Sequence, residues 1–368
     1  MTKILHLILI IISIINILII KFKNIKRLNY FLFISKTNKI DKRSLYFINK
    51  KILDKSFNLV RTQTNIDLKI FFEIIKIPNL FCYTLLKRIF IQDYKNKKFI
   101  YFLLKIFKSL HIEKIILIDD YREMRVFSEI SKKLNIKSTI YMHGRISKNM
   151  KILKTTKFSN YLVWSNFFYK QLKQANNKYN RNNVYIVGNP YFKKKILRKK
   201  YYISVKNCLF LDEDFLSLRD IEICLKSIIK IKNLSVFYKK KVTRNLPEDL
   251  ALFLNKNGIK ILDHTESFAN TIFKYKIDCV IATTSTGLLE ALYYNVIPFK
   301  FYSSKKNIRE LWFKEFVDRN LVNVLNFKKM KELFKKKYSL KKLINKKNLL
   351  WGKIIFKPNK VQKLIDNI

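Results

Sequence analysis

Residues 278–302, DCVIATTSTGLLEALYYNVIPFKFY, form the most informative stretch of this sequence. An apolar, β-branched run is followed by a turn of Thr, Ser and Gly, then by a short amphipathic segment and a second apolar run. This order predicts a strand, a helix and a second, parallel strand. Because residues 283–287 carry no bulky side chain, their backbone N–H groups would be open to a phosphate at the helix start, where the helix dipole favours negative charge.

Glu290 lies one turn into the predicted helix, where its carboxylate would reach a ribose hydroxyl. The stretch therefore predicts a nucleotide-binding unit of strand, turn and helix. An ordinary strand-to-helix turn capped by Ser or Thr fits the same residues, and the choice between the two depends on the surrounding chain.

The surrounding chain repeats this alternation of apolar runs and helical segments. Strands are expected at residues 114–118, 137–142, 161–164 and 184–187, and again at 208–211, 234–238, 259–262, 279–282 and 296–301. A length of 368 residues is enough for two domains with full cores. We therefore expect an α/β protein with two Rossmann-like domains that face a cleft. The expected segments are an apolar helix with a basic flank at 1–28, domains at 29–200 and 201–340, and a helical tail at 341–368.

Residues 29–110 resist further division because they are rich in Phe, Ile and Lys and contain few turn signals. A first strand is expected at 30–34, and Pro78 is expected to interrupt a helix. The later strands of the first domain end in polar or small residues, which are Asp119, Asp120, His143, Gly144, Gly188 and Asn189. Since the carboxyl ends of parallel strands share one edge of a sheet, these residues are expected to face one crevice.

The formal net charge of +50 would ordinarily suggest a nucleic-acid partner. Lysine greatly outnumbers arginine, however, and arginine is the usual reader of phosphates and bases. The bias towards Lys, Ile, Asn, Phe and Tyr is typical of an AT-rich genome. We therefore interpret the charge as a solvated lysine surface that is weakly attracted to an anionic membrane surface, and we expect no nucleic acid as partner.

The four cysteines and four histidines are scattered along the chain, without a Cys-x-x-Cys pair. The cysteines are expected to be small core residues, and a structural zinc site is not expected. Asp212 and Asp214 have the spacing of an Asp-x-Asp metal motif, but an acidic helix start explains them more simply. No metal and no cofactor are expected.

Residues 4–20 form an apolar run that only His6, Ser13 and Asn16 interrupt, and a basic flank follows it at once. As a helix this run would extend about 26 Å, near the lower limit for crossing a bilayer. The basic flank predicts a single N-terminal transmembrane helix, with the rest of the chain on the cytoplasmic side of the inner membrane. A cleavable signal peptide fits less well because the charge follows the apolar run. A buried first strand and helix of the N-terminal domain is the competing interpretation.

Five motifs in fixed order support a family resemblance. They are YMHGR at 141–145, YLVWSNFFYKQL at 161–172, VYIVGNPYF at 184–192, VFYKKK at 236–241 and TTSTGLLEA at 283–291. Together they resemble GT-B-fold glycosyltransferases of bacterial surface polysaccharide synthesis. The most similar group contains capsule polysaccharide synthases, polysialyltransferases and CDP-glycerol glycerophosphotransferases. The resemblance covers residues 110–305 and implies a GT-B-like fold, with the acceptor in the first domain and the nucleotide sugar in the second.

The resemblance implies a role for individual residues. The donor phosphates would lie on Thr284, Ser285, Thr286 and Gly287, and the ribose near Glu290. Lys239, Lys241 and Arg244 fall where the family often carries a Lys-Pro-His-Pro type motif, although Lys240 and Lys241 replace its Pro-His pair. These cations would neutralise the leaving phosphate, or they are further solvated lysines. Gly144, Arg145, Gly188 and Asn189 would lie on the acceptor side. Apart from the resemblance, His264 follows the strand before the donor unit, where it would frame the nucleotide base, and a capping turn explains it equally well.

Transfer of a sugar needs a base near the acceptor hydroxyl. His143 is the first candidate because an imidazole titrates near neutral pH and Gly144 lets the loop approach the substrate. Asp119 and Asp120 are the second candidates, by analogy with the acidic pair of some bacterial sialyltransferases, although Tyr121 stands where those enzymes have glycine. The expected partners are a nucleotide-sugar donor and a glycan or lipid-linked acceptor.

Two other functions remain open. A UDP-sugar 2-epimerase would use the same scaffold, because a fold does not determine chemistry, but an N-terminal anchor is unusual for such an enzyme. A noncatalytic basic protein that binds nucleic acid or a membrane is favoured by charge alone. It would bind DNA with a steep salt dependence and would not bind a donor.

Overall fold

The computed structural model of the chain describes residues 2–22, 28–36, 39–40, 54, 56–61, 68–82, 97–117, 124–142, 144–190, 192, 201–213, 215–241, 246–263, 266–304, 308–352 and 356–367. The chain forms two compact units. Unit 1 contains Met1–Tyr191 together with Ile354–Ile368, and unit 2 contains Phe192–Lys353.

The elements of unit 1 in chain order are α1 (Thr2–Phe22), β1 (Leu28–Lys36), β2 (Lys39–Ile40), β3 (Ser56–Arg61), α2 (Leu68–Ile75), β4 (Leu80–Cys82), α3 (Lys97–Ser109), β5 (Ile112–Leu117), α4 (Met124–Leu134), β6 (Lys137–Tyr141), α5 (Lys151–Thr155), β7 (Asn160–Val163), α6 (Asn166–Ala175) and β8 (Val184–Ile186). Those of unit 2 are β9 (Tyr202–Ile203), β10 (Asn207–Leu211), α7 (Leu218–Ile228), β11 (Ser235–Lys239), α8 (Glu248–Lys256), β12 (Lys260–Leu262), α9 (Phe268–Lys274), β13 (Cys279–Ala282), α10 (Gly287–Tyr293), β14 (Ile297–Lys300), α11 (Ile308–Asp318), β15 (Asn323–Val324), α12 (Met330–Lys335), β16 (Tyr338–Ser339) and α13 (Leu340–Trp351). The last helix, α14 (Pro358–Asn367), returns to unit 1.

Unit 1 is built on a parallel sheet with the strand order β4-β3-β1-β5-β6-β7-β8, and β2 adds an antiparallel pair to β1. The helices cover this sheet through apolar faces. In α4, Val126, Phe127 and Ile130 are all buried, and the Phe127 ring stacks on Phe107 of α3 with 6.4 Å between ring centroids. The period of these residues is the one that the sequence predicts for a helix over this segment.

Unit 2 has a parallel sheet with the order β12-β11-β10-β13-β14-β15. The described side chains of its central strand β13 are fully buried, as expected for a strand covered on both faces. Cys208, Cys224 and Cys279 are buried in this unit and Cys82 is buried in unit 1, which confirms that the cysteines are core residues.

The strands predicted from residue 114 onward are confirmed to within about two residues at each end. Helix α8 has the boundary residues that helices prefer, with Pro247 as N-cap, two acidic residues in its first turn and Gly258 beyond its end with a φ of +65°. Residues 29–110, which the sequence left undivided, contain two parallel strands, β3 and β4, that were not predicted.

The C-terminal tail predicted at 341–368 is divided between the units. Helix α13 belongs to unit 2, where the indole N–H of Trp351 donates to the carbonyl of Leu289 at 3.0 Å. Helix α14 belongs to unit 1, where Lys114 Nζ donates to the carbonyl of Ile365 at 2.9 Å. Unit 1 therefore combines Met1–Tyr191 with Ile354–Ile368, on either side of unit 2 in the sequence.

Helix α1 packs against β4, the edge strand of the unit 1 sheet. Ser13 Oγ accepts a hydrogen bond from the backbone N–H of Cys82 at 2.8 Å, and Asn16 Nδ2 donates to the carbonyl of Leu80 at 3.0 Å. An edge strand presents unpaired backbone groups, and these two side chains of α1 satisfy two of them. Two of the three polar residues that interrupt the apolar run, Ser13 and Asn16, thus contact the sheet.

Within the described residues, no helix is both long and apolar enough to serve as a membrane span. The anchor predicted at residues 1–28 is therefore corrected, because one face of α1 is committed to the sheet. The competing interpretation, a buried first helix, holds for that face, on which Leu5, His6, Leu9 and Ser13 are buried.

Candidate functional site

The strand order of unit 2 reverses between β10 and β13. From β10 the chain proceeds outward through β11 and β12, and it then returns to the other side of β10 to form β13, β14 and β15. Ligands of open parallel sheets bind at such a reversal, in the crevice beyond the carboxyl ends of the strands. The residues that follow β10 and β13 are therefore the candidate site of this unit.

A buried carboxylate joins these two strand ends. Glu213 Oε1 accepts hydrogen bonds from the backbone N–H groups of Thr283 and Thr284, both at 2.8 Å, and from Thr283 Oγ1 at 2.6 Å. Glu213 Oε2 accepts one from Thr284 Oγ1 at 2.9 Å. The side chain is almost fully buried, and hydrogen bonds to a charged acceptor are stronger than those between neutral groups. Glu213 thus holds the start of the Thr/Ser turn.

This contact corrects one expectation about the turn. The N–H groups of Thr283 and Thr284 are not open to an anionic ligand, because a carboxylate of the chain already accepts from both of them. The geometry that was predicted to attract a phosphate thus attracts a negative group of the protein itself. The sequence analysis missed Glu213 because its partners lie 70 and 71 residues away along the chain. The signal in the sequence is an acidic residue just beyond β10, the strand that lies next to β13.

The second half of the turn is more open. Ser285 and Thr286 are half-buried, whereas Thr284 and Gly287 are buried. Ser285 Oγ accepts from the N–H of Gly287 at 3.1 Å, and the side chain of Thr286 does not cap α10. Glu290, also half-buried, lies in the first turn of α10, where its N–H donates to the carbonyl of Thr286 at 3.0 Å.

Gly287 packs closely against the end of β10. A Cβ atom at this position would lie 2.5 Å from Leu211 Cδ1 and 3.3 Å from Ser285 Oγ. Glycine therefore lets the start of α10 approach the end of β10 closely. This role explains the residue without reference to a ligand.

Lys239, at the carboxyl end of β11, is bound to protein acceptors. Its ammonium donates to the carbonyls of Asp263 and Glu266, both at 2.9 Å, and to Thr271 Oγ1 at 3.2 Å. Burial lowers the pKa of Lys239, while the carboxylates of Glu266 and Asp263 act in the opposite direction. Since an ammonium has three protons, these contacts account for all of them. Lys239 thus fixes the segment between β12 and α9, and its assignment to the donor phosphates stays a prediction.

The other cationic residues predicted to contact the donor are Lys241, Arg244 and His264. Lys241 is half-buried, two residues beyond β11. Arg244 and His264 lie outside the described residues, so their assignments stay predictions.

Beyond β14, buried charges are paired within the protein. Lys300 is buried and contacts the carboxylate of Glu310, and its Nζ lies 4.0 Å from the centroid of the Tyr302 ring. Asp220, near the start of α7, accepts from Ser217 Oγ at 2.7 Å and from the N–H of Ser304 at 2.9 Å. Burial acts to raise the pKa of Asp220, but the hydrogen bonds from Ser217 and Ser304 outweigh it and lower the pKa.

In unit 1, the corresponding reversal of strand order falls between β1 and β5. Asp119 and Asp120 follow β5 in the sequence, and His143 follows β6, but all three lie outside the described residues. Their assignment as the catalytic base therefore stays a prediction.

The acceptor-side residues that the structure describes belong to two loops of unit 1. Gly188 has a φ of +84°, and its carbonyl accepts from Tyr141 Oη at 3.2 Å. Tyr141 Oη in turn accepts from the indole N–H of Trp164 at 2.8 Å. Asn189 is buried next to Gly188, and Gly144 and Arg145 are half-buried. Tyr141 thus links the end of β6 to the loop after β8. The sequence analysis did not predict this role of Tyr141.

Within the part of the chain that the structure describes, no group of three or more His, Cys, Asp or Glu side chains is arranged to hold a metal ion. Asp214, the second acid of the Asp-x-Asp spacing, lies outside that part.

Solved structures share this fold along most of their length. The S. aureus MnaA–UDP co-structure has a TM-score of 0.57 and 12% identity, and the match covers 93% of this chain and 95% of that one. A putative UDP-N-acetylglucosamine 2-epimerase from Listeria monocytogenes has a TM-score of 0.56 and 10% identity, with coverage of 92% and 94%. MurG from Acinetobacter baumannii has a TM-score of 0.54 and 11% identity, with coverage of 93% and 99%.

These likenesses establish the fold. The chain has an α/β fold with parallel sheets that matches GT-B structures, among which are both glycosyltransferases and UDP-N-acetylglucosamine 2-epimerases. No protein-family model and no curated protein sequence matches the chain. The donor, the acceptor and the reaction are therefore matters of proposal.

Proposed function

We propose that the chain is a glycosyltransferase that moves a sugar, or a polyol phosphate, from a nucleotide-activated donor to a glycan or lipid-linked acceptor of the cell surface. The observation that carries the proposal is the hydroxyl-rich turn after β13, which lies at the reversal of strand order in a fold shared with glycosyltransferases. The order of sequence motifs over residues 110–305 favours surface polysaccharide synthesis.

The donor contacts are proposed for the open half of the turn. Ser285 and Thr286 present hydroxyl groups to the diphosphate, and Glu290, one helical turn further, accepts from the ribose. Lys241 supplies positive charge near the leaving phosphate. Glu213 is a positioning residue here, because it holds the backbone of Thr283 and Thr284 and so sets where the following hydroxyls lie.

The transfer breaks the bond between the anomeric carbon and the donor phosphate oxygen, and the nucleotide leaves with the electron pair. The acceptor oxygen forms the new bond to that carbon and gives its proton to a base. His143 is the proposed base, with Asp119 and Asp120 as the alternatives. When the moved group is a polyol phosphate, the acceptor oxygen attacks the phosphorus of that group, and the bond from this phosphorus to the oxygen of the nucleotide phosphate breaks. The nucleotide leaves with the electron pair, and the acceptor proton goes to the same base.

Thermal unfolding of the purified full chain tests the proposal. UDP-, GDP-, CMP- and CDP-linked sugars are added in turn, and one of them is expected to raise the Tm in a saturable way. The double variant Ser285→Ala/Thr286→Ala should need a higher donor concentration for the same rise. Ser227→Ala is the matched control, because Ser227 is half-buried on α7, and its hydroxyl donates locally, to the carbonyl of Ile223 at 2.8 Å. If no activated donor raises the Tm, the proposal is overturned.

An epimerase is the second candidate. Of the three structures reported above, the two with the higher TM-scores are a co-structure with UDP and a putative UDP-N-acetylglucosamine 2-epimerase. The two functions differ in their need for an acceptor. An epimerase would invert C2 of the donor in the absence of any acceptor, which NMR of the incubated donor detects. A transferase would consume the donor and release the nucleotide in proportion to added acceptor.

A further inference from the structure

Helix α1 exposes a continuous apolar face. Eight of its large side chains are between 37% and 62% exposed, namely Ile4, Leu7, Ile8, Ile11, Ile14, Ile15, Leu18 and Ile19. Spacings of three and four residues place them along one side of a helix, and the stripe extends over about 22 Å. The face on β4 carries the buried residues, so the helix is anchored on one side and apolar on the other.

In the sequence, the charged residues that flank this stripe are all basic. The sequence contains no acidic residue before Asp41, whereas its first 40 residues include the basic residues Lys3, Lys21, Lys23, Lys26, Arg27, Lys36 and Lys39. An apolar stripe with basic ends is the combination by which a helix binds the interface of an anionic bilayer. The basic residues thus favour an anionic partner, and the apolar stripe provides the surface that contacts it.

We propose that α1 lies flat in the surface of an anionic lipid bilayer. The exposed aliphatic side chains enter the boundary between head groups and acyl chains, the basic residues meet the lipid phosphates, and the other face of α1 stays on β4. This proposal does not depend on the activity of the enzyme.

Two other arrangements of α1 are disfavoured by the same observations. A helix that crossed the bilayer would have lipid on every side and would withdraw Ser13 and Asn16 from Cys82 and Leu80, whose backbone groups would lose their partners. A second copy of the chain on the stripe would bring two clusters of positive charge together, which opposes association.

Sedimentation with vesicles tests the proposal on the full chain. We expect the protein to sediment with vesicles that contain phosphatidylglycerol, much less with vesicles of phosphatidylcholine alone, and less as ionic strength rises. The double variant Ile11→Ser/Ile15→Ser should lower partition by roughly tenfold or more. Because both positions are exposed, its Tm should match that of the parent. Leu252→Ser/Leu349→Ser is the matched control, since these leucines are 62% and 54% exposed elsewhere in the chain and should not affect partition.

The depth of the helix separates a flat orientation from a crossing one. In vesicles of brominated phospholipids, the tryptophan fluorescence of an Ile11→Trp variant should be quenched most when the bromines lie near the glycerol end of the acyl chains. Strongest quenching by bromines at the chain ends would overturn the flat orientation. Equal partition of the Ile11→Ser/Ile15→Ser variant and the parent would overturn the docking surface. So would a dimer in lipid-free solution that this variant abolishes, because the stripe would then bind a second copy.

Discussion

Glu213 and Thr284 are joined by two hydrogen bonds, one from the backbone N–H and one from the hydroxyl, at 2.8 and 2.9 Å. The pair connects the carboxyl end of β10 to that of β13, where the order of strands in unit 2 reverses. Replacing Glu213 with alanine would leave two buried N–H groups without their acceptor. We expect the free energy of unfolding of Glu213→Ala to fall by about 2–4 kcal/mol, measured by urea denaturation.

The same variant tests whether the turn attracts anions. With the carboxylate removed, sulfate should bind the vacated N–H groups and raise the Tm of Glu213→Ala more than that of the parent protein. Sodium chloride at matched ionic strength is the control. An equal response of the two proteins to sulfate would show that the turn has no preference for anions.

Gly287→Ala should be destabilising because the new Cβ would overlap Leu211 Cδ1 at the end of β10. We expect a loss of about 1–3 kcal/mol in the free energy of unfolding. Leu211→Ala removes the opposing atom, so the double variant should be more stable than the sum of the two single changes predicts. Strict additivity in this cycle would contradict the packing role of Gly287.

Lys239 and Lys241 are close in sequence but should differ in what they support. Lys239→Met leaves two carbonyls and a hydroxyl without their donor and should lower the free energy of unfolding by about 1–3 kcal/mol. Lys241→Met should change it by less than about 0.5 kcal/mol and should weaken donor binding. Unfolding curves and donor titrations of both variants decide between the roles. The reverse pattern would return Lys239 to the donor site.

Asp220 gives a pH dependence with a defined sign. Its pKa lies below the ordinary value of 3.8 in the folded protein, so the carboxylate contributes stability above that value, and this contribution is lost as pH falls through the lowered pKa. The unfolding free energy of Asp220→Asn should therefore be below that of the parent at neutral pH, by about 1 kcal/mol. The difference should shrink below pH 3.8. A constant difference would show that the charge of Asp220 is not responsible.

Much of the fold was predictable because the strands from β5 onward are short apolar runs separated by turn residues and helical segments. The strands β3 and β4 were missed because residues 29–110 contain few Gly or Pro residues to mark their ends. For α1, composition alone could not separate a membrane span from a helix packed on one face. That distinction depends on what Ser13 and Asn16 contact, and their partners lie 69 and 64 residues away.

The position of the candidate site could be predicted from the sequence, but the contacts within it could not. The turn after β13 follows from local residue types, which the sequence displays directly. The carboxylate of Glu213 on that turn, the ammonium of Lys239 on two carbonyls and the close approach of Gly287 to Leu211 are all contacts between separate elements. Such contacts are set by the three-dimensional packing of the sheet and helices, and no local pattern encodes them.

The return of α14 to unit 1 bears on how the protein acquires its structure during synthesis. Unit 2 is one uninterrupted stretch, Phe192–Lys353, which the ribosome completes before the last residues of unit 1 emerge. Lys114 meets its acceptor at Ile365 only after all of unit 2 has been synthesised. A nascent chain released early, or a fragment ending near residue 191, would thus contain the N-terminal sheet without helix α14. A fragment of residues 192–353 would contain every residue of unit 2.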